Sequence, residues 1–261
     1  MERIKQALEK ARQERETRQG NATPVQAAPL PAAGPAGPDL TQTVSLDEAV
    51  LRKHRIITGL PPGSFSDAYN LLRTRILQAF KEHNWNTLAV TSPGYSAGNT
   101  LTAINLAISI AREVDYTVLL VDANLRQPWM LEQLGIPHRK GLSDYLTSDT
   151  PVSELLFKAA GIERLVIMPG GRPLSNSAEM LNSPKMIKLA EEMKSRYHSR
   201  IIIYDLPPVL TSSDTLAFAP YVDAALLVVE DGKTQKQELE QAVELLSVTN
   251  IIGTVLNKAE S

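Results

Sequence analysis

The clearest pattern along the chain is a succession of short, continuously apolar runs separated by segments with helical periodicity. The apolar runs predict strands at residues 87–92, 117–123, 164–170, 200–207, 224–230 and 251–257. Strands that are apolar throughout are typical of a sheet covered on both faces, and their alternation with helices indicates parallel pairing. The pattern therefore predicts an α/β fold with a doubly wound, mainly parallel sheet flanked by helices.

The helical segments show apolar residues at spacings of three and four. In residues 64–82 they include Tyr69, Leu72 and Ile76, and Ser66 is the predicted N-cap of that helix. Further helices are predicted within SAEMLNSPKMIKLAEEMKSRY, within QKQELEQAVELLSV and over residues 100–111. In doubly wound sheets ligands bind beyond the carboxyl ends of the strands, so candidate chemistry is sought there.

The beginning of the chain has a different composition. Residues 1–19 combine dense charge of both signs with a thin apolar stripe, which predicts either a solvated helix or a helix that docks on a partner. Residues 20–43 are rich in Pro, Ala and Gly and are predicted to form a flexible linker. We assign residues 44–261 to one globular domain.

Composition narrows the class of protein. The 261 residues are 43% apolar with a net charge of −2, which gives no overall electrostatic reason to expect nucleic acid as a partner. The chain has no cysteine, so disulfides and cysteine nucleophiles are ruled out. The opening residues lack the apolar core of a signal peptide, and no apolar run approaches the roughly 20 residues that span a bilayer. We expect a cytoplasmic protein that reaches the membrane through a partner.

The stretch TSPGYSAGNTLTAINLA, residues 91–107, has the outline of a phosphate-binding loop between a strand and a helix. Such a loop directs backbone N–H groups at phosphate, a lysine bridges the outer phosphates, and Ser or Thr holds Mg²⁺. Asn99 stands at the position of the lysine. The predicted contacts to ATP or ADP are Gly98, Asn99, Thr100 and Leu101, and binding is expected to be weak or lost.

Two aspartates end predicted strands of the same sheet. Asp122 is followed by Arg126, and Asp205 ends the apolar run IIIYD in the manner of a Walker B acid. Asp122 and Asp205 are the candidate catalytic residues. Together with Thr100, they are also the candidate Mg²⁺ ligands. Arg126 is a further candidate nucleotide contact. The alternative for Asp122 is a cap on the next turn.

A polar group follows Asp205 at Ser212, Ser213 and Asp214. These side chains either line the site or cap the helix in DTLAFAPYV, and the cap is the preferred interpretation.

Together the phosphate-loop stretch and the motifs VLLVDANLRQP, GLSDYL, MPGGRP, IIIYDLPPVL and GTVLNK support a family resemblance. In their order and spacing they resemble the bacterial tyrosine kinases of exopolysaccharide and capsule synthesis, P-loop proteins close to the ParA and MinD ATPases. The resemblance covers residues 52–258. It implies a P-loop fold, a membrane-embedded polysaccharide chain-length regulator as partner, and a place for the chain at the inner membrane. It also allows for a homo-oligomer.

The departures from the family pattern lie at the chemistry. The family reads approximately P-G-E-G-K-[ST] through the loop, where this chain has Ser96 for a glycine, Ala97 for the acid and Asn99 for the lysine. Asn124 replaces the second acid of the Asp-x-Asp-x-Arg motif. Kinase members usually end in a tyrosine-rich tail, whereas the last tyrosine here is Tyr221.

One further departure concerns assembly. The helical motif Glu-x-x-Arg-x-x-Arg, which the family uses to form a ring, reads Asp67, Asn70 and Arg73. The resemblance and its departures predict a degenerate kinase-like module that binds nucleotide weakly or not at all and regulates polymer assembly through protein contacts. Two alternatives stay open, namely an active ATP-dependent tyrosine autokinase and a partitioning-type ATPase.

Overall fold

The computed structural model describes residues 41–196 and 199–259, all of them in one compact unit. The predicted helix at residues 1–19 and most of the predicted linker lie outside the described residues. The eight strands of the described part are β1 (Gln42–Val44), β2 (Thr87–Thr91), β3 (Thr117–Asp122), β4 (Phe157–Ala159), β5 (Leu165–Met168), β6 (Arg200–Asp205), β7 (Ala224–Glu230) and β8 (Asn250–Asn257).

These strands form a single sheet in the order β1-β4-β5-β3-β6-β2-β7-β8. Every neighbouring pair is parallel except β4 and β5, which are antiparallel. The centre of the sheet is therefore β3, β6 and β2, whose carboxyl ends meet at one edge. That edge positions the candidate site.

The helices cross between the strands on both sides of the sheet. They are α1 (Glu48–Lys53), α2 (Ser64–His83), α3 (Asn99–Ala111), α4 (Met130–Gln133), α5 (Leu142–Thr147), α6 (Val152–Leu155), α7 (Ser177–Leu181), α8 (Pro184–Arg196), α9 (Asp214–Phe218) and α10 (Lys236–Leu245). Short 3₁₀ turns follow α9 at Ala219–Tyr221 and α10 at Leu246–Val248. Within the described residues, no helix combines the length and the apolar character that crossing a bilayer requires.

The two faces of the sheet bury separate cores, as the continuously apolar strands predict. Along β2, Leu88 and Val90 pack into the core that contains the apolar face of α2 and nearly all of α3. Ala89, between them, packs on the opposite face with residues of α8 and α9. Alternate side chains of one strand therefore enter different cores, so a polar substitution is unfavourable at any position of the strand.

The predicted α/β fold is confirmed, and the structure corrects some of the predicted elements and their bounds. All six predicted strands are present, while β1 and β4, of three residues each, were not foreseen. β1 begins at Gln42, inside the segment predicted as linker. Ser66 is not the N-cap of α2: the cap is Gly63, and the hydroxyl of Ser66, three residues later, accepts a hydrogen bond from the Gly63 backbone N–H.

Candidate active site

Two buried carboxylates lie side by side at the carboxyl edge of the sheet. Asp122 ends β3, Asp205 ends β6, and the two residues are register partners across the pair of strands. Both are almost completely buried. The two candidate acids therefore end neighbouring strands at the same level of the sheet.

Burial controls the ionisation of this pair. It raises the pKa of Asp205 to about 7, although hydrogen bonds from Thr100 and Asn99 act in the opposite direction. Burial, and after it the nearby charge of Asp205, raises the pKa of Asp122 well above its usual range, against backbone N–H donors that lower it. When two neighbouring carboxyl groups are buried, ionisation of the second one is unfavourable unless a cation lies close by. A bound metal ion would supply that positive charge.

The phosphate loop connects β2 to α3 and has a constrained backbone. Ser96 adopts a left-handed conformation with φ of 65°, and Gly98 has φ of 96°. A Cβ atom on Gly98 would lie 2.2 Å from Nδ2 of Asn257. That amide, at the end of β8, donates a hydrogen bond of 2.7 Å to the carbonyl of Ala97. The loop is thus tied to the edge strand, and glycine is required where the two segments meet.

Asn99 does not face an open phosphate site. Its side-chain amide donates one hydrogen bond of 3.1 Å to Oδ1 of Asp205 and another of 2.8 Å to the backbone carbonyl of Leu206. An amide group has two N–H donors, so both are used. The residue at the lysine position is buried and holds the loop against the end of β6.

The donor set fits Mg²⁺ better than it fits the phosphates. Thr100, Asp122 and Asp205 supply the oxygen ligands that Mg²⁺ prefers, and Asp205 already accepts hydrogen bonds from Thr100 and Asn99. On the phosphate side, Asn99 supplies no cation. Lys258, which follows the loop contact Asn257, forms an ion pair of 3.0 Å with Glu230 rather than replacing the missing lysine. The candidate site therefore has the two strand-end acids but no lysine in the phosphate loop.

The remaining two predicted contacts differ in position. Leu101, in the first turn of α3, is partly buried and packs its side chain against the core. Arg126 forms an ion pair of 3.1 Å through Nε with Oδ1 of Asp214. Asp214 is fully buried, and its Oδ1 also accepts a hydrogen bond from the hydroxyl of Ser212.

The contacts of residues 212–214 divide between the start of α9 and a distant loop. The N-cap of α9 is Ser213, whose side chain makes no capping hydrogen bond. The carboxylate of Asp214 instead reaches Arg126, 88 residues away in the chain. Ser212 Oγ accepts a hydrogen bond of 3.2 Å from the Asp214 backbone N–H at the start of α9, which agrees with the cap interpretation for that serine, whereas the Asp214 side chain pairs with a residue of a distant loop.

Two glycines contribute to the site without an obvious chemical signal in the sequence. The Gly170 backbone donates to Asp122, and a Cβ atom on Gly170 would lie 2.5 Å from Cβ of Pro128 and 3.2 Å from the Asp122 carboxyl carbon. Gly171 has φ of 80° and a Cβ there would lie 2.5 Å from Oγ of Ser143. The run MPGGRP therefore closes tightly over Asp122, and the double glycine was its only sequence signal.

Comparisons with known proteins agree with this architecture. No family model matches the chain. The chain is 30% identical over 217 residues to the tyrosine-protein kinase YwqD of Bacillus subtilis, covering 79% of this chain and 90% of that protein.

Solved structures give the same result. The kinase domain of the Escherichia coli tyrosine kinase ETK superposes with a TM-score of 0.69 and 25% identity, over 84% of this chain and 91% of that one. The septum site-determining protein MinD of Pyrococcus horikoshii, solved with Mg-ADP, shares the fold with a TM-score of 0.55 and 20% identity over 67% of this chain and 72% of its own. The P-loop fold expected from the sequence is confirmed.

Proposed function

We propose that this chain, which belongs to the bacterial tyrosine kinase family, is a kinase-like module whose nucleotide site is weakened and which acts through protein contacts. One observation carries the proposal: the Asn99 amide, at the lysine position, is hydrogen-bonded to Asp205 and to the Leu206 carbonyl. A phosphate group entering the loop would find no lysine ammonium there. The acid that would hold Mg²⁺ is already engaged by the same amide.

The size of the effect separates binding from catalysis. Loss of a charge-assisted hydrogen bond costs roughly 1.5–3 kcal/mol, which weakens binding by about 10- to 150-fold. Where the missing cation served the transition state, one lost donor of this kind lowers the rate by about 10²- to 10³-fold. The backbone N–H groups of the loop and the N-terminus of α3 are still present. We therefore expect ATP or ADP to bind, but weakly.

The biological setting follows from the family. Members that resemble this chain belong to exopolysaccharide and capsule synthesis, and we assign this chain to the same process. Its proposed partner is the membrane-embedded chain-length regulator, contacted from the cytoplasmic side. Residues 1–19 are the proposed docking segment, because their charge and thin apolar stripe suit a helix that gains its apolar contacts from a partner.

Calorimetric titration of the full chain with Mg-ATP tests the weakened site. We expect a dissociation constant weaker than the low micromolar range. The double variant Asn99→Lys with Ser96→Gly should bind at least about tenfold more tightly, because it restores the cation and removes the strained position. Low micromolar binding by the unmodified chain contradicts the proposal, and an unchanged affinity in the double variant contradicts the assignment of the loop.

An active autokinase is the second candidate, and it is favoured by the retained, adjacent pair Asp122 and Asp205. Incubation with labelled ATP and the membrane partner, followed by phosphotyrosine detection, separates the two. Phosphotyrosine that disappears in Asp122→Asn would establish the kinase. Its absence in the unmodified chain, with the partner present, supports a module that acts through contacts alone.

A further inference from the structure

The last strand of the sheet, β8, has an edge without a neighbour. It lies at the end of the strand order beside β7, and no other strand of the described chain pairs with it. Along such an edge, backbone N–H and C=O groups point away from the sheet and can pair with another strand. The strand at the opposite edge, β1, has only three residues, whereas β8 has eight. β8 is therefore the long open edge of this fold.

The composition of β8 does little to protect this edge. Natural sheets discourage pairing at an edge with charged side chains, with proline, with a short strand or with a bulge. The sequence of β8, NIIGTVLN, has no charged residue and no proline, and its only such device is a register shift opposite Ala225 and Leu226 of β7.

Apolar side chains are also exposed in this part of the chain. Eight large apolar side chains are exposed in the described residues, and half of them lie between residues 243 and 256. They belong to α10, to the turn after it and to β8, and α10 shares a buried cluster with Ile251 of β8. Exposed apolar surface that is concentrated in one part of a protein is typical of an interaction site.

The sequence of β8 is nearly symmetric about its centre. If a second copy of β8 lay antiparallel to the first about a two-fold axis at that centre, each residue would face a counterpart of the same kind. The pairs would be Asn250 with Asn257, Ile251 with Leu256, Ile252 with Val255 and Gly253 with Thr254. Apolar side chains would face apolar ones, and no like charges would be opposed.

The side chains of the apolar pairs also lie on matching faces. A two-fold axis perpendicular to the sheet keeps each face continuous from one copy to the other. Ile252 and Val255 both pack against the core that contains α3. Ile251 packs on the opposite face in a cluster with Leu227. Leu256 lies on that face too, because its register partner in β7 is two residues beyond Leu227.

We propose that two copies of this chain associate through β8, which pairs antiparallel with the β8 of the second copy and joins the two sheets. A C₂ contact of this kind uses the same surface of both subunits, as the symmetric sequence of β8 allows. The residues before the described part suit this edge less well, because residues 24–38 include five prolines, which lack the N–H that a strand pair needs.

This association goes beyond the proposed function and does not depend on it. The phosphate loop follows the carboxyl end of β2, which is parallel to its neighbours β6 and β7. Antiparallel pairing of the two β8 strands places the two phosphate loops at opposite ends of the joined sheet. No nucleotide is then shared between the copies, so the association is expected without nucleotide.

Sedimentation velocity of the full chain, without nucleotide, tests the proposal. We expect the molar mass to rise from 28.6 kDa towards twice that value as the concentration of the chain increases to about 200 µM. Addition of Mg-ATP should leave this association unchanged. A chain that stays monomeric at every concentration, or one that dimerises only with Mg-ATP, overturns the proposal.

A pair of charge variants tests the symmetry of the contact. Thr254 is exposed and lies next to the proposed axis, so the Thr254 of the second copy is close to it. Thr254→Lys and Thr254→Glu each bring two like charges together there, and each should weaken dimerisation by at least about fivefold. An equimolar mixture of the two variants should dimerise again, because opposite charges then meet across the axis. A mixture that stays monomeric overturns the proposal.

A third variant tests the apolar pairs. Leu256 is 58% exposed, so Leu256→Lys should leave the fold intact, and it should weaken dimerisation by about tenfold because a charge enters the apolar contact. Val114→Lys, at an exposed valine between α3 and β3, is the matched control and should dimerise as the unmodified chain does. Circular dichroism checks that each variant is folded. Equal dimerisation of Leu256→Lys and the unmodified chain, or equal loss in Leu256→Lys and Val114→Lys, overturns the assignment to β8.

Discussion

Ser96 occupies a backbone conformation that suits glycine, and its side chain is exposed in the phosphate loop. An L-residue in the left-handed region costs about 1–2 kcal/mol relative to a right-handed one. We therefore expect serine at this position to make the loop less stable than glycine would. Asn99 acts in the opposite direction, because its two hydrogen bonds fasten the same loop to β6.

Substitution of Ser96 by glycine should therefore raise the free energy of unfolding by about 0.5–1 kcal/mol, the relief of strain being partly offset by the greater freedom of glycine in the unfolded chain. Urea denaturation measures the change. Ser195→Gly in the exposed last turn of α8 is the matched control and should lower stability by about 0.5 kcal/mol. Destabilisation by both substitutions would mean that Ser96 is not strained.

The buried acid pair makes stability depend on pH. The pKa of Asp205 is raised to about 7 in the folded protein, whereas the unfolded carboxyl ionises near about pH 4. Because the pKa of Asp205 is higher in the folded than in the unfolded protein, the protonated carboxyl group stabilises the fold. This contribution is fully present below the unfolded-state pKa and is lost as the pH rises through the folded-state pKa. Stability should fall between about pH 4 and pH 7 for this reason.

The variant Asp205→Asn should reduce that dependence and be more stable than the unmodified chain at about pH 8, by on the order of 2 kcal/mol. Urea denaturation at several pH values gives the slope. Asp231→Asn, in an exposed turn, controls for the removal of one charge. A slope that is unchanged in Asp205→Asn would show that another group titrates.

At the scale of elements, the length of an element decided what the sequence could predict. Six strands were recognisable because each is a continuous apolar run inside a two-faced sheet. β1 and β4 have three residues each and depend on pairing with one another and with β5, so no periodicity marks them. The region predicted as one helical segment is divided into α7 and α8, with Pro184 as the first residue of the second helix.

One residue fastens several of these elements together. Asp223, directly before β7, accepts hydrogen bonds from the backbone N–H groups of Asn86 and Thr87 and forms an ion pair with Lys194 of α8. Partial burial raises the pKa of Asp223, but the hydrogen bonds with Lys194, Asn86 and Thr87 outweigh it and leave that pKa lowered. The starts of β2 and β7 and the end of α8 therefore share one charged partner.

Asp223→Ala should lower the free energy of unfolding by about 2 kcal/mol at neutral pH, since backbone donors and Lys194 lose their acceptor. Because the pKa of Asp223 is lowered in the folded protein, its carboxylate stabilises the fold above the unfolded-state pKa, and this contribution is lost as the pH falls through the folded-state pKa. The difference in stability between the unmodified chain and Asp223→Ala should therefore shrink below about pH 4. Denaturation at neutral and at acid pH measures it. Asp149→Ala, at a fully exposed side chain, should change stability by less than about 0.5 kcal/mol. Equal losses in the two variants would show that Asp223 is not a tie.

At the scale of the whole molecule, the sequence predicted the sheet, the carboxyl edge and the acid pair, because these follow from apolar runs and from parallel pairing. It did not predict that Asn99 hydrogen-bonds to Asp205, since the direction of a side chain depends on packing around the loop. Nor did it identify the Arg126–Asp214 pair, which joins two loops distant in the chain. Candidate residues at the end of a single strand could be predicted from the sequence. Contacts between side chains of separate loops could be identified only in the structure.

The contacts of Arg73 bear on the expectation about assembly. Arg73, which aligns with the final arginine of the family's ring motif, forms an ion pair of 2.9 Å with Glu113 and donates to the carbonyl of Ser109 at 3.2 Å. Its side chain is 19% exposed. The guanidinium that a neighbouring subunit would contact is thus bound within its own chain, where it joins α2 to the end of α3.

Arg73→Ala should therefore destabilise the fold by about 1–2 kcal/mol without changing the molar mass of the protein in solution. Urea denaturation and light scattering after size exclusion measure the two quantities on the same sample. Arg75→Ala, on the exposed side of α2, is the matched control and should change neither. If Arg73→Ala instead lowered the molar mass and left stability unchanged, Arg73 would serve an interface between subunits, and its contact with Glu113 would be incidental to the fold.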